Sequence, residues 1–148
     1  MPIPDADHRG YLPHGVHDAS LAEILDRYGR FRETDRRVTL GAQLAEFAEE
    51  ARASGLVRFL IIDGSYTTAK PQPGDIDLIV VLRKGVGAAA ELRPDQYNVM
   101  SARRVKARHG FDVLHAIEDS ETLAKTVEFF AQVVGEPDVS KGMVRVAL

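Results

Sequence analysis

The amino-acid sequence predicts a mixed α/β fold of the α+β kind, a mixed β-sheet backed by helices. Three observations lead there. The runs 57–62, 78–82 and 111–116 are short, apolar and rich in β-branched or aromatic residues, as strands covered on both faces are. Apolar residues recur at three- and four-residue steps in the segments around them, which is the period of a helix packed on one side. Helical and extended segments also interleave along the chain, so the helices have a sheet to cover.

Each element has a local reason. Residues 1–19 hold Pro2, Pro4, Gly10, Pro13 and Gly15 and read as an irregular leader. Ser20 and Glu23 have the spacing of a capping box, which starts a helix over 21–28 that Gly29 stops. A longer helix is expected over 35–54, with Val38, Leu44, Ala45, Ala48 and Ala51 at helical steps, Leu40 and Phe47 beside them, and Gly55 as its end. Strand 57–62 leads into a turn-rich stretch over 64–74 containing Lys70-Pro71-Gln72-Pro73-Gly74, then a second strand over 75–82. A Gly-rich loop around Gly85 and Gly87 follows. The basic segment 94–108 reads as a helix with Pro94 in its first turn. Strand 111–116 comes next, then a helix over 121–134 capped by Asp119 or Ser120, with Leu123, Val127 and Phe130 on one face and Gly135 at its end. The tail, 142–148, alternates enough to form a last strand, at the edge of the sheet.

The 148 residues suit one domain, 1–148, since hydrophobic cores form in units of roughly 100–150 residues. The chain has no cysteine, which removes disulfides, thiolate metal sites and a Cys nucleophile and fits a reducing cytoplasm. The longest unbroken apolar runs, 59–62 and 78–82, are far below the roughly 20 residues of a membrane helix. Residues 1–10 carry Pro, Asp and His where a signal peptide needs a basic start and an apolar core. The net charge of −3 argues against general affinity for nucleic-acid backbones, and the run Arg103, Arg104, Lys106, Arg108, His109 reads as a solvated helix face with few aromatics for base stacking. The five histidines lack metal-ligand spacing in the sequence.

One segment stands apart on physical grounds. Asp75 and Asp77 open an otherwise apolar strand, and alternation turns both to one face, about 7 Å apart along it. Like charges so placed repel, and strands disfavour Asp, so the pair calls for a cation. Hard divalent ions such as Mg²⁺ take carboxylate oxygens together with substrate phosphates. Gly64-Ser65 directly after a buried strand lets backbone approach a ligand closely, and Ser65 adds a hydroxyl. Lys70 lies in the same turn and can reach a phosphate. A third carboxylate is expected on a neighbouring strand, and Asp112 supplies it.

These residues resemble the nucleotidyltransferase superfamily that includes DNA polymerase β: Gly64-Ser65, nine intervening residues, Asp75-Ile76-Asp77, and a later strand bearing Asp112. More narrowly, Leu12-Pro13-x-Gly15-x-His17, Asp63-Gly64-Ser65, Lys70-Pro71-x-Pro73-x-Asp75-x-Asp77 and Lys141-Gly142 resemble short bacterial proteins of unassigned function, thought to be minimal members of that superfamily. The resemblance implies a nucleotidyltransferase-like fold, Asp75, Asp77 and Asp112 as catalytic residues and ligands of Mg²⁺ (or Mn²⁺), and Gly64 and Ser65 at the triphosphate, with Lys70 beside them. It implies transfer of a nucleoside monophosphate from an NTP to an acceptor hydroxyl on a protein, an RNA or a small molecule. Similar short proteins often occur in toxin–antitoxin or defence pairs, which favours a protein acceptor. The alternative is a catalytically silent module of the same fold that binds a protein or nucleotide partner. Asp63 departs from the superfamily pattern, where an apolar or aromatic residue usually precedes the Gly; its charge has to be paired or turned away for a nucleotide to bind.

Overall fold

A computed structural model describes residues 3–86 and 91–148. Gly87, which the sequence places in a Gly-rich loop, lies outside the described residues; Gly85 takes a left-handed φ of 90°. The fold is mixed α/β, as the sequence predicts, with helices on both faces of a five-stranded mixed sheet. No helix of the described residues is long and apolar enough to cross a membrane.

The chain begins with a short strand, β1 (Val16–Asp18), inside the leader expected to be irregular. Helix α1 (Leu21–Tyr28) follows, closed by the capping box: Ser20 Oγ accepts from the Glu23 amide at 3.1 Å, and the Ser20 amide donates back to Glu23 Oε1 at 3.2 Å. Helix α2 (Arg36–Ser54) ends on Gly55 in the left-handed region. Its buried stripe runs through Leu40, Leu44, Phe47, Ala48 and Ala51. Val38 was expected on that stripe and points outward instead; the stripe opens with buried Arg37.

Next come β2 (Val57–Asp63) and, after a 3₁₀ turn at Ser65–Thr67, β3 (Asp77–Leu82). The helix expected over 94–108 is broken into a 3₁₀ turn at Pro94–Gln96, α3 (Tyr97–Met100) and α4 (Ala102–His109). The break falls at Ser101, whose backbone is extended and whose hydroxyl caps α4 by accepting from the Arg104 amide. Strand β4 (Asp112–Ile117) is followed by α5 (Glu121–Ala131), capped by Ser120. That helix stops three residues short of expectation. The residues that looked like its last turn form β5 (Gln132–Val133), paired with β6 (Glu136–Ser140) in a two-stranded hairpin, and Gly135 with φ of 80° makes the turn rather than a helix end.

The last strand, β7 (Met143–Ala147), is interior rather than at the edge, because the sheet order is β1-β7-β2-β3-β4. It pairs antiparallel with β2 and parallel with β1, so the leader closes that side of the sheet. Strands β2 and β3 are antiparallel, and β3 and β4 are parallel. Alternation sorts the side chains. Leu60, Ile62, Leu78, Val80 and Leu82 join α1 and α2 in the larger core, while Ile61, Ile79 and Val81 face Leu123, Val127 and Phe130 of α5.

The two chain ends are fastened together. The Gly142 amide donates to Leu12 O and the Met143 amide to Gly15 O, both at 2.9 Å, and His17 Nε2 lies 2.7 Å from Pro13 O. A Cβ on Gly142 would sit 2.0 Å from Pro13 O and 2.9 Å from the His17 ring. Gly142→Ala is therefore expected to cost about 3 kcal/mol, since backbone must move to accept it; urea unfolding checks this, and a loss below about 1 kcal/mol contradicts it.

Candidate functional site

Asp77 begins β3, and its register partners are Asp63 at the end of β2 and Asp112 at the start of β4. Three aspartates thus form a row across one end of the sheet. They share the parity of Ile61, Ile79 and Leu114, which turns them to the α5 face. Asp75 lies outside the strand expected to contain it. Ladder pairing starts at Asp77 because the turn before it is tied elsewhere: Arg36 Nε donates to Pro73 O at 3.1 Å, and its Nη2 reaches Gly74 O.

The fold nonetheless brings Asp75, Asp77 and Asp112 together, with one carboxylate oxygen of each lying within 4.8 Å of the others. Burial raises the Asp77 carboxyl to about 6, and the charges of Asp75, Asp63 and Asp112 add to that. Burial also raises Asp75, helped by Asp112 beside it. Lys106 of α4 supplies a partial counter-charge, with Nζ 3.0 Å from Asp112 Oδ1 and 3.9 Å from Asp75 Oδ2. Three converging carboxylates form a hard, all-oxygen donor set, and this cluster could hold a metal ion.

Gly64 has a φ of 86°, and a Cβ there would fall 2.8 Å from Asp77 Oδ2. The space that the glycine leaves is taken by the Asp77 carboxylate. Gly64→Ala is expected to displace that carboxylate and cut divalent-ion affinity at least tenfold, with a loss of about 1–2 kcal/mol in stability from the positive φ. Metal titration beside thermal unfolding separates the two effects, and unchanged metal affinity rules this account out.

Asp63, the residue that breaks the sequence pattern, is 3% exposed. Burial raises its carboxyl, and Lys141 counters that: Nζ lies 3.3 Å from Asp63 Oδ1. The ion pair lacks hydrogen-bond geometry at Oδ1, which has no other partner among the described residues. The charge is therefore both buried and paired, the condition that the sequence set for it.

Two clefts meet at Lys141. One, of about 420 Å³, is lined by Asp63, Asp77, Phe129, Phe130 and Lys141 among others. The second, of about 560 Å³, is lined by Arg9, Ser65, Thr68, Lys70 and Lys141. Ser65 begins the 3₁₀ turn with a half-buried side chain, and Lys70 is exposed. Sequence reasoning missed Arg9, because an arginine in a Pro- and Gly-rich leader carries no signal of where it folds. Lys106 is exposed, as its segment reads, and only its pairing with Asp112 and Asp75 carried no signal in the sequence. A second group, Glu46, Glu50 and His109, also brings ligand atoms within 4.8 Å of one another, although no sequence spacing announces it. Arg108 already pairs with both glutamates, and His109, which the sequence places on a solvated face, is buried instead and stacks on Phe111.

Fold and site together define a mixed α/β protein with a three-carboxylate cluster at one end of its sheet. The chain belongs to a family of unknown function, DUF6932, which matches residues 4–147. No curated protein and no solved structure matches it.

Proposed function

We propose that the protein is a Mg²⁺-dependent nucleotidyltransferase, moving a nucleoside monophosphate from an NTP to an acceptor hydroxyl. The observation that carries this reading is the convergence of Asp75, Asp77 and Asp112 on one point beside the Gly64-Ser65 turn. The resemblance in the spacing of those same residues supports it.

In this reading Asp75, Asp77 and Asp112 would hold Mg²⁺, or Mn²⁺ in its place. The bound cation would supply positive charge against the negative charge that develops on the phosphoryl oxygens. Backbone near Gly64, with Ser65 and Lys70, binds the β and γ phosphates, and Arg9 and Lys141 add positive charge to the same cleft. The acceptor oxygen forms a bond to the α phosphorus while the bond from that phosphorus to the β-bridging oxygen breaks, releasing pyrophosphate. Asp112, at the exposed margin of the row, takes the acceptor's proton. Lys141 keeps Asp63 from adding an uncompensated charge.

Calorimetric titration with MgATP tests the reading, with Asp77→Asn as control. The natural protein is expected to bind and the variant to lose at least tenfold in affinity. Incubation with α-labelled NTPs and cell extract then identifies the acceptor class. Binding without any transfer of label supports the silent-module alternative. No binding, or equal binding by both proteins, sinks both the metal site and the enzyme.

A further inference from the structure

A second concentration of charge lies on the other side of the Ser65–Lys70 turn. A pocket of about 260 Å³ is lined by residues that include Arg27, Tyr28, Phe31, Arg32, Arg37 and Thr68. Among the described residues, no carboxylate lines it. Its guanidinium groups are not equally engaged. Arg37 is 2% exposed and spends its donors on backbone carbonyls, while Arg27 donates to Ile3 O and Pro4 O. Arg32 is exposed and has no side-chain hydrogen bond or ion pair among the described residues. Burial pushes the Arg37 guanidinium below its ordinary value, and the nearby Arg32 charge pushes the same way. Arg30, also on the wall, pairs with Asp26, so Arg32 is the guanidinium that no carboxylate or carbonyl engages among the described residues.

Two further features point to a ligand. Tyr28 is 5% exposed, stands on the wall of this pocket, and its hydroxyl has no hydrogen-bond partner among the described residues. A buried hydroxyl without a partner costs about 1–3 kcal/mol, and a bound anion would accept its proton. Phe31, with 68% of its surface exposed, offers an aromatic face at the rim.

We infer that this pocket is a binding site for a phosphomonoester, with the Arg32 guanidinium and the Tyr28 hydroxyl on the phosphate and Phe31 against its organic part. Arginine suits the role because its planar fork matches phosphate oxygens two at a time. The pocket shares Thr68 and Ala69 with the cleft on the far side of the turn, yet it needs neither the carboxylate cluster nor a metal ion.

Calorimetric titration of the full chain in EDTA, with inorganic phosphate in one arm and AMP in the other, tests this. Binding is expected in both arms, tighter for AMP if Phe31 contributes, and Arg32→Ala is expected to weaken it at least fivefold. Arg32 is exposed and holds no other group through its side chain, so that variant should fold as the natural protein does, which circular dichroism checks. Phe31→Ala should remove only the advantage of AMP over phosphate. Absence of binding in both arms, or binding that survives Arg32→Ala unchanged, overturns the inference. Because the titration excludes divalent ions, its outcome is independent of whether MgATP binds at the aspartate row. MgATP affinity retained in Arg32→Ala confirms that the two sites are separate.

Discussion

Asp77→Asn is expected to stabilise the cation-free protein, raising its melting temperature by about 3–6 °C at pH 7. Asp77 is held at about 6 against an ordinary 3.8, because burial and three neighbouring carboxylates oppose its charge. A folded-state value above the unfolded one means that the native state binds more protons between the two. The stability that Asp77 contributes is then fully present below about pH 4 and is lost as the pH rises through about 6. A shift of that size corresponds to roughly 3 kcal/mol at 1.36 kcal/mol per unit. Partial access to water reduces this to about 1–2 kcal/mol, and a domain of this size gains about 2–4 °C per kcal/mol. The amide keeps the shape of the carboxylate and removes its charge, so the variant should lack the decline between pH 4 and 6. Millimolar Mg²⁺ should raise the melting temperature of the natural protein at pH 7 and leave the variant unchanged. Thermal unfolding from pH 4 to 8, with EDTA or Mg²⁺, gives all four curves. A variant less stable than the natural protein in EDTA at pH 7 would mean that the aspartate row is not under electrostatic stress.

That stress was legible in the sequence only as a spacing. Asp75-Ile76-Asp77 ahead of an apolar run showed that two carboxylates would be close, and Asp112 at the head of another apolar run showed where a third would come from. Register did the rest. The parallel pairing of β3 with β4 sets Asp77 against Asp112, and nothing local specifies which strands become neighbours. The same limit explains β7. Its alternation marked a strand, but its interior position depends on Val16–Asp18 pairing with it from the far end of the chain. Helix α1 was readable to the residue because its start is set by Ser20 and Glu23, three apart. The end of α5 was not, since Val133-Val134-Gly135 suits a helix terminus and a hairpin turn alike, and the choice falls to the pairing of β5 with β6. Arg37 was hidden because a cation within a helical segment reads as solvent-facing unless the partner that draws it inward is known.

Arg37 carries the largest expected effect on stability. Its guanidinium donates to Tyr28 O at 3.3 Å, Tyr66 O at 2.7 Å, Thr68 O at 2.8 Å and Lys70 O at 3.1 Å, and lies over the rings of Tyr28 and Tyr66. Three of those carbonyls belong to the turn that follows Gly64. A turn of this kind has few backbone bonds of its own, and Arg37 supplies from α2 what a ladder would supply in a sheet. No carboxylate is among the bonded partners of this cation, so its stability rests on the carbonyl dipoles and the two aromatic faces. Arg37→Met keeps most of the apolar stem and deletes every donor. Four carbonyls, buried or partly so, then lose their partner, and the expected cost is about 3–5 kcal/mol, a fall of roughly 10 °C in melting temperature. Arg37→Lys keeps the charge but offers no fork to span the turn, so it should recover less than half of the loss. The damage should also be local. Hydrogen exchange at the Thr68, Ala69 and Lys70 amides, now bonded to Ser65 O, Gly10 O and Thr68 Oγ1, should quicken more than exchange in β2 or β3. A loss under 1 kcal/mol, or exchange that quickens evenly across the sheet, would show that the turn holds its shape without Arg37. If it does depend on Arg37, the groups on both sides of the turn, Ser65 and Lys70 on one, Thr67 on the other and Thr68 on both, take their positions from a single buried side chain of α2.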